Sequence, residues 1–159
     1  MNEAKLKTEL KEALEKVGCV AIKLPDMARG VNKEGDLVCG IFGKFVLLET
    51  KLRKTGKPLS PEEWKPNKIV VTHKDLRESQ FQSLSKVECR DCYAFVVAAL
   101  YDQGDYRRIA WAIPYSLFCL RERWSIDNCR SDSIVIELTW QKGKGWDVSE
   151  LLNEIKLVL

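Results

Sequence analysis

Histidine is almost missing from this chain. His73 is the only one among 159 residues, so neither a Ser-His-Asp triad nor a two-histidine metal centre can be built within one copy, and His73 itself reads as a turn residue. Long apolar runs are missing too. No stretch of eighteen apolar residues occurs, and the N-terminal MNEAKLKTELKEALEKVG is charged and amphipathic, so the expectation is a cytoplasmic protein with neither a membrane span nor a secretory signal. Cysteine is too thinly spread for a secreted disulfide scaffold: Cys19, Cys39, Cys89, Cys92, Cys119 and Cys129 are scattered through apolar segments,. Cys89-Arg-Asp-Cys92 is a single CxxC with no second pair to complete a zinc site. Reduced, packed thiols are the default reading there, with a disulfide or redox pair as the other. A large excess of one charge sign is also lacking, since 26 basic residues face 23 acidic ones for a formal +3. That balance permits a polyanionic partner without demanding one, and any basic patch must come from clustering. No repeat, low-complexity tract or domain break is visible, so residues 1–159 are expected to form a single domain.

What is present is enough apolar residue, 45% of the chain, to build one substantial core. Leu6, Leu10, Ala13, Leu14 and Val17 recur at helical spacing ahead of Gly18, which predicts an amphipathic helix over 3 to 17. A strand is expected from Cys19 to Leu24, then a polar loop over 25 to 35. Apolar runs from Asp36 to Ile41 and from Lys44 to Lys51 flank Phe42-Gly43, the signature of a tight hairpin. Residues 52 to 68, LRKTGKPLSPEEWKPNK, read as a long surface loop, a type more often functional than idle. Lys68 to Thr72 is a short apolar run, Asp75 to Lys86 a second helix, and Tyr93 to Tyr101 a buried strand. Arg108 to Ile113 reads as a further strand, Ser116 to Arg123 as a short helix after Pro114, and Val148 to Val158 as a closing helix. The order describes a mixed α/β domain, a small sheet with helices packed on it.

The hairpin carries the chemistry. If Ile41 pairs with Lys44, paired positions sum to 85, and Asp36 falls directly opposite Glu49. Opposed side chains share a face with Cβ atoms roughly 4.5 to 5.5 Å apart, where like charges repel. Strand alternation brings Lys51 to the Glu49 face. A divalent cation between the carboxylates resolves the conflict, and magnesium suits one or two carboxylates with water and a phosphate oxygen completing its shell. Such an ion lowers the pKa of a bound water and stabilises charge on an attacked phosphate, while Lys51 could orient that water or offset transition-state charge. The opposing reading is a surface Glu–Lys pair of little consequence. The apolar setting of DLVCGI and FVLLE argues against it, because an unpaired carboxylate is costly to bury.

A lone Asp36, then Glu49-Thr50-Lys51 closing an apolar hairpin after an acidic helix, resembles the PD-(D/E)XK nuclease superfamily, and within it the RecU-type Holliday-junction resolvases of bacteria or phages. LRESQFQSLSKV followed by YAFVVAAL, and RRIAWAIPYSLFCLRERW, are similar to further parts of that family; the resemblance covers roughly residues 3 to 125. It implies a restriction-endonuclease-like core and a homodimer making paired cuts in branched DNA. It also implies magnesium, with manganese as substitute, held by Asp36, Glu49 and Gln80, with Lys51 stabilising the transition state. Glu34 stands where relatives carry a hydroxyl ligand. A first-helix glutamate often joins such sites. Glu9 and Glu12 share a helix side, and Glu9 is preferred because it borders the apolar stripe. Other readings are a restriction or repair nuclease acting on duplex DNA, or an inactive DNA-binding module.

Arg29, Lys33, Arg53, Lys54, Lys57 and Lys65 lie in the two loops that bracket the hairpin, where they could neutralise backbone phosphates or be ordinary solvated charge. Trp64 in the second loop could stack on bases or anchor the loop.

Overall fold

The computed structural model describes residues 2–24, 37–55, 65–88, 92–102 and 108–157. Helix α1 (Glu3–Lys16) starts where the Asn2 side chain accepts the Lys5 N–H at 2.9 Å. It stops before Gly18, which takes a left-handed φ of 87° and donates its N–H to the Glu15 carbonyl at 3.0 Å. A side-chain cap at one end and a left-handed glycine at the other satisfy orphaned backbone groups of the terminal turns. Strand β1 (Val20–Lys23) pairs with β2 (Leu37–Ile41), which turns into β3 (Lys44–Thr55). Phe42 and Gly43 both have positive φ, 50° and 74°, the two-residue I′ geometry whose twist matches the strands it joins. Every described β2–β3 pair, from Ile41 opposite Lys44 to Leu37 opposite Leu48, keeps the expected sum of 85.

The expected loop from residue 52 begins later than the sequence implies. β3 runs on to Thr55 because β5 (Tyr93–Asp102) lies parallel to it along that length, with Arg53 opposite Leu100 and Thr55 opposite Asp102. A neighbouring strand overrides the weak strand propensity of LRKT. Between these two strands come β4 (Ile69–Thr72), a 3₁₀ turn (His73–Asp75) and helix α2 (Glu78–Glu88). The helix expected from Asp75 starts three residues late, since the Asp75 carboxylate accepts the Thr72 N–H at 2.7 Å and closes a turn of its own.

The rest is β6 (Arg108–Pro114), α3 (Tyr115–Phe118), β7 (Arg123–Ser125), α4 (Ile126–Ser131), β8 (Ile136–Gln141), β9 (Gly145–Trp146) and α5 (Ser149–Leu157). The helix expected over 116 to 123 shrinks to one turn because the chain then pairs β7 with β4, Arg123 opposite Thr72. None of β7, α4, β8 or β9 was anticipated. The main sheet has seven strands in the order β1-β2-β3-β5-β6-β8-β9, and β4-β7 forms a second, two-stranded one. Only β3 and β5 run parallel among its described pairs. The result is a mixed α/β fold, a curled central sheet flanked by helices, consistent with a restriction-endonuclease-like core. No helix among the described residues is long and apolar enough to cross a membrane.

Each face of the sheet has its own core. Leu6, Leu10 and Leu14 of α1 and Leu151 and Ile155 of α5 pack against Val46, Leu48 and Val97. On the other face Leu84 of α2 joins Leu47, Val96, Trp111, Phe118 and Trp124. Even positions of β3 therefore face α1 and odd positions face α2. Cysteines behave as packing residues: no disulfide forms among Cys19, Cys39, Cys92, Cys119 and Cys129, Cys89 lies outside the described residues, and burial pushes the Cys39 and Cys129 thiols up to about 12. His73 sits in its turn with Nε2 donating to the Phe118 carbonyl at 2.8 Å and its ring against Phe81 and Phe118.

One expected catalytic residue is committed to holding the fold. Glu9 takes both carboxylate oxygens to Arg108 Nη1, at 2.5 and 2.7 Å, and Oε2 also accepts the Trp146 indole N–H at 3.1 Å. The Arg108 guanidinium in turn lies 4.1 Å above the Trp140 ring,. The cluster joins α1 to β6, β8 and β9, and both charges are mostly shielded, the side chains 11% and 18% exposed. Removing one partner of a buried pair strands the other, so Glu9→Ala is expected to lower the unfolding free energy by about 2 kcal/mol, read as a fall in the urea midpoint; an unchanged midpoint would refute this role. The hairpin turn offers a change of opposite sign. Phe42 is 54% exposed and holds a left-handed conformation that asparagine adopts more readily, so Phe42→Asn should raise that midpoint, by the equivalent of about 1 kcal/mol.

Candidate active site

Glu49 is an acid with no exposure at all, placed on the α2 face of the sheet by the parity of β3. A carboxylate is expensive to bury without hydrogen bonds or a cation. Gln80 meets the first need: its Nε2 donates to Glu49 Oε1 at 2.7 Å. Lys51 meets the second, with Nζ 3.6 Å from the same oxygen. The parallel crossover from β3 to β5 is what carries α2, and with it Gln80, over this stretch of the sheet.

Gln80 is itself fixed by the helix it belongs to. Its Oε1 accepts the Arg77 N–H at 2.8 Å, reaching back from the third helical position to the residue before the helix as a capping-box glutamine does. With the oxygen held by the backbone, the amide nitrogen is the atom turned toward Glu49. The side chain therefore acts here as a positioning group, and a ligand role through its oxygen requires the cap to be released.

Lys51 is 16% exposed and forms the floor of a cleft of about 100 Å³ shared with Glu3, Leu52, Arg53, Val70 and Asp75. Glu3 was not singled out from the sequence. It lies in the first turn of α1, and its Oε1 accepts the Leu52 N–H at 3.4 Å. That N–H belongs to the part of β3 beyond Leu48, the last residue paired with β2 in the described chain. The first-helix acid at this edge is thus Glu3, whereas Glu9 lies on the α1 face with Arg108. The signal available in the sequence was position: an acid in the first helical turn reaches past the end of its own helix, while one in the second turn of an apolar stripe is drawn over the core.

Arg53 follows Lys51 on the same face and donates to Asp75 Oδ2 at 2.9 Å, so it is partly engaged in an ion pair. Lys54 and Lys65 are exposed. Asp36, Glu34, Arg29, Lys33, Lys57 and Trp64 lie outside the described residues. Among the described residues no three His, Cys, Asp or Glu side chains come together as a metal site. Of the groups that do meet, only the Glu49 carboxylate has atoms able to ligate a metal, hard oxygens of the kind magnesium takes, since the Lys51 ammonium and the Gln80 amide nitrogen have no lone pair to give,.

No family model and no curated protein matches the chain. Among solved structures it is similar to Hjc, a Holliday junction resolvase from the archaeal hyperthermophile Archaeoglobus fulgidus, at 16% identity and a TM-score of 0.44, over 78% of this chain and 96% of that one. The similarity is to an archaeal resolvase and not to a RecU-type one.

Proposed function

We propose that this protein is a magnesium-dependent endodeoxyribonuclease of the PD-(D/E)XK type that resolves four-way DNA junctions by phosphodiester hydrolysis. The observation that carries the reading is the wholly buried Glu49 carboxylate, held by Gln80 at 2.7 Å and faced by Lys51 at 3.6 Å. A structural ion pair gains little from such burial, because replacing it with apolar residues is often neutral or stabilising. A site that must keep a carboxylate dry and aimed has a use for it. The hairpin register supports the reading as well, since all five described pairs keep the sum that makes Asp36 the sequence partner of Glu49.

Magnesium fits these donors, and Asp36 and Glu49, with Glu34 as a further acid, would hold it; when bound it supplies an acidified water and positive charge beside the attacked phosphate. The chain's own groups do the rest. Gln80 holds the Glu49 carboxylate in one orientation, so no reorganisation is needed as charge develops. Lys51 offers an ammonium N–H to the attacking water or to the phosphoryl oxygens. Glu3, on the Leu52 N–H, places a second acid at the edge where water enters. Two symmetric cuts in a junction need two such sites, so the working form is a homodimer with two-fold symmetry.

The test is cleavage of a labelled four-way junction and of its separate duplex arms, in magnesium and in manganese. Asp36→Asn, Glu49→Gln and Lys51→Met should each slow junction cleavage by at least about a hundredfold, while junction binding measured in EDTA stays close to wild type. Wild-type rates in Asp36→Asn would remove that residue from the mechanism. Equal cutting of junction and arms would replace the resolvase reading with a duplex nuclease, and tight binding without turnover in either metal would leave a binding module. Gln80→Leu separates positioning from packing. It should reduce kcat per folded enzyme by about tenfold or more and lower stability by about 3 kcal/mol, the cost of a lost cap together with a buried carboxylate deprived of a hydrogen bond.

A further inference from the structure

The two-stranded β4-β7 sheet, invisible in the sequence pattern, builds a second cleft beside the one at Lys51. It encloses about 280 Å³ and is lined by Arg53, Ile69, Thr72, Lys74, Glu122 and Arg123. Arg53 lines both clefts and so lies between them: Lys51 and Arg53 follow each other on one face of β3, about 6.6 to 6.8 Å apart along the strand, and Lys74 and Arg123 line the second cleft. The lining is held firmly. Asp75 accepts from both the Thr72 N–H and the Arg53 guanidinium, Arg123 is paired opposite Thr72, and the His73 N–H donates to the Glu122 carbonyl at 2.9 Å. Lys74 and Arg123 are both exposed.

The geometry points to this cleft as a seat for a backbone phosphate of the nucleic-acid strand that enters the Lys51 edge, with Arg53, Lys74 and Arg123 as its cations. A chain of near-balanced overall charge places three cations here against two carboxylates, Glu122 and the Asp75 that pairs with Arg53. A guanidinium has five N–H donors in a planar fork suited to phosphate, and the Asp75 bond uses one of those on Arg53. The proposal rests on the nuclease reading only in taking DNA as the polyanion. It names a second phosphate along the strand, apart from the one attacked, and adds to Arg53 two cations, Lys74 and Arg123, that lie outside the hairpin loops.

The experiment is equilibrium binding of the full-length protein to a four-way junction in EDTA across a range of salt, so that cleavage plays no part. For the double variant Lys74→Ala/Arg123→Ala the slope of log K against log salt should become shallower by about 0.7 to 0.9, the amount for the one phosphate no longer neutralised. Glu122→Gln should shift affinity the other way, and Lys144→Ala, on the β8–β9 turn, should leave it unchanged. Lys74→Glu, with a circular dichroism spectrum to confirm folding, gives a charge reversal that must weaken binding further. At saturating junction the double variant should keep a kcat within about threefold of wild type, since neither residue touches the reacting group. An unchanged slope in the double variant, or a wild-type protein that binds no DNA, overturns the cleft. A wild-type protein that fails to cut while the slope still falls leaves the cleft standing and removes the nuclease reading alone.

Discussion

The fold is organised around the cost of keeping one carboxylate dry. Glu49 sits in the middle of the longest strand with no exposure, in surroundings where an ionised group loses its water and needs fixed dipoles or a cation in its place. These come from two directions. Gln80 descends from α2 and Lys51 rises from the next same-face position of β3. The Gln80 contact depends on β3 and β5 lying parallel, because only a crossover connection long enough to hold a helix brings α2 over β3. The one parallel pair in an otherwise antiparallel sheet is what the acid requires.

Gln80 shows how local and tertiary demands can be met by one side chain. A glutamine at the third position of a helix commonly turns its oxygen back onto the preceding backbone N–H, and here that N–H is Arg77's. The amide is planar, so fixing the oxygen also fixes the nitrogen. The cap that starts α2 thereby aims a donor into the core. This explains how a polar residue on a short helix is kept 8% exposed without strain: both ends of its amide are hydrogen-bonded, the condition under which buried polar groups are tolerated.

How much of this was visible in the sequence depends on the range of the interaction. The hairpin was legible because Phe42-Gly43 is a local signal and a two-residue turn leaves one register, from which the pairing of Leu37 with Leu48 follows. Helix α1 was legible from its apolar stripe and Gly18. The 3₁₀ turn at His73–Asp75 and the true length of β3 were not, since each is decided by a specific partner that periodicity does not report: the Asp75 carboxylate on Thr72, and β5 along residues 52 to 55. The β4-β7 pair was invisible for the same reason, as three-residue β7 has no period of its own. The positions of Glu9 and Glu3 were not legible, because helical spacing tells which side of α1 is apolar and not how far along the sheet each turn lies. Glu9 is drawn to Arg108 over the core, while Glu3, in the first turn, lies at the Leu52 N–H.

The strand β3 combines these constraints into a gradient. Its odd positions on the α2 face run from Leu47, inside the apolar core, to Glu49, buried and hydrogen-bonded, to Lys51, barely exposed, to Arg53, half exposed in an ion pair with Asp75. Apolar, acidic and basic side chains thus follow one another at a fixed spacing along a single rigid element, which holds their relative positions more firmly than loop residues could. β5 lies beside β3 along this whole stretch, to Thr55. The Leu52 N–H donates to the Glu3 carboxylate. Along this one element the buried acid is therefore followed, at strand spacing, by basic side chains of rising exposure, Lys51 and then Arg53.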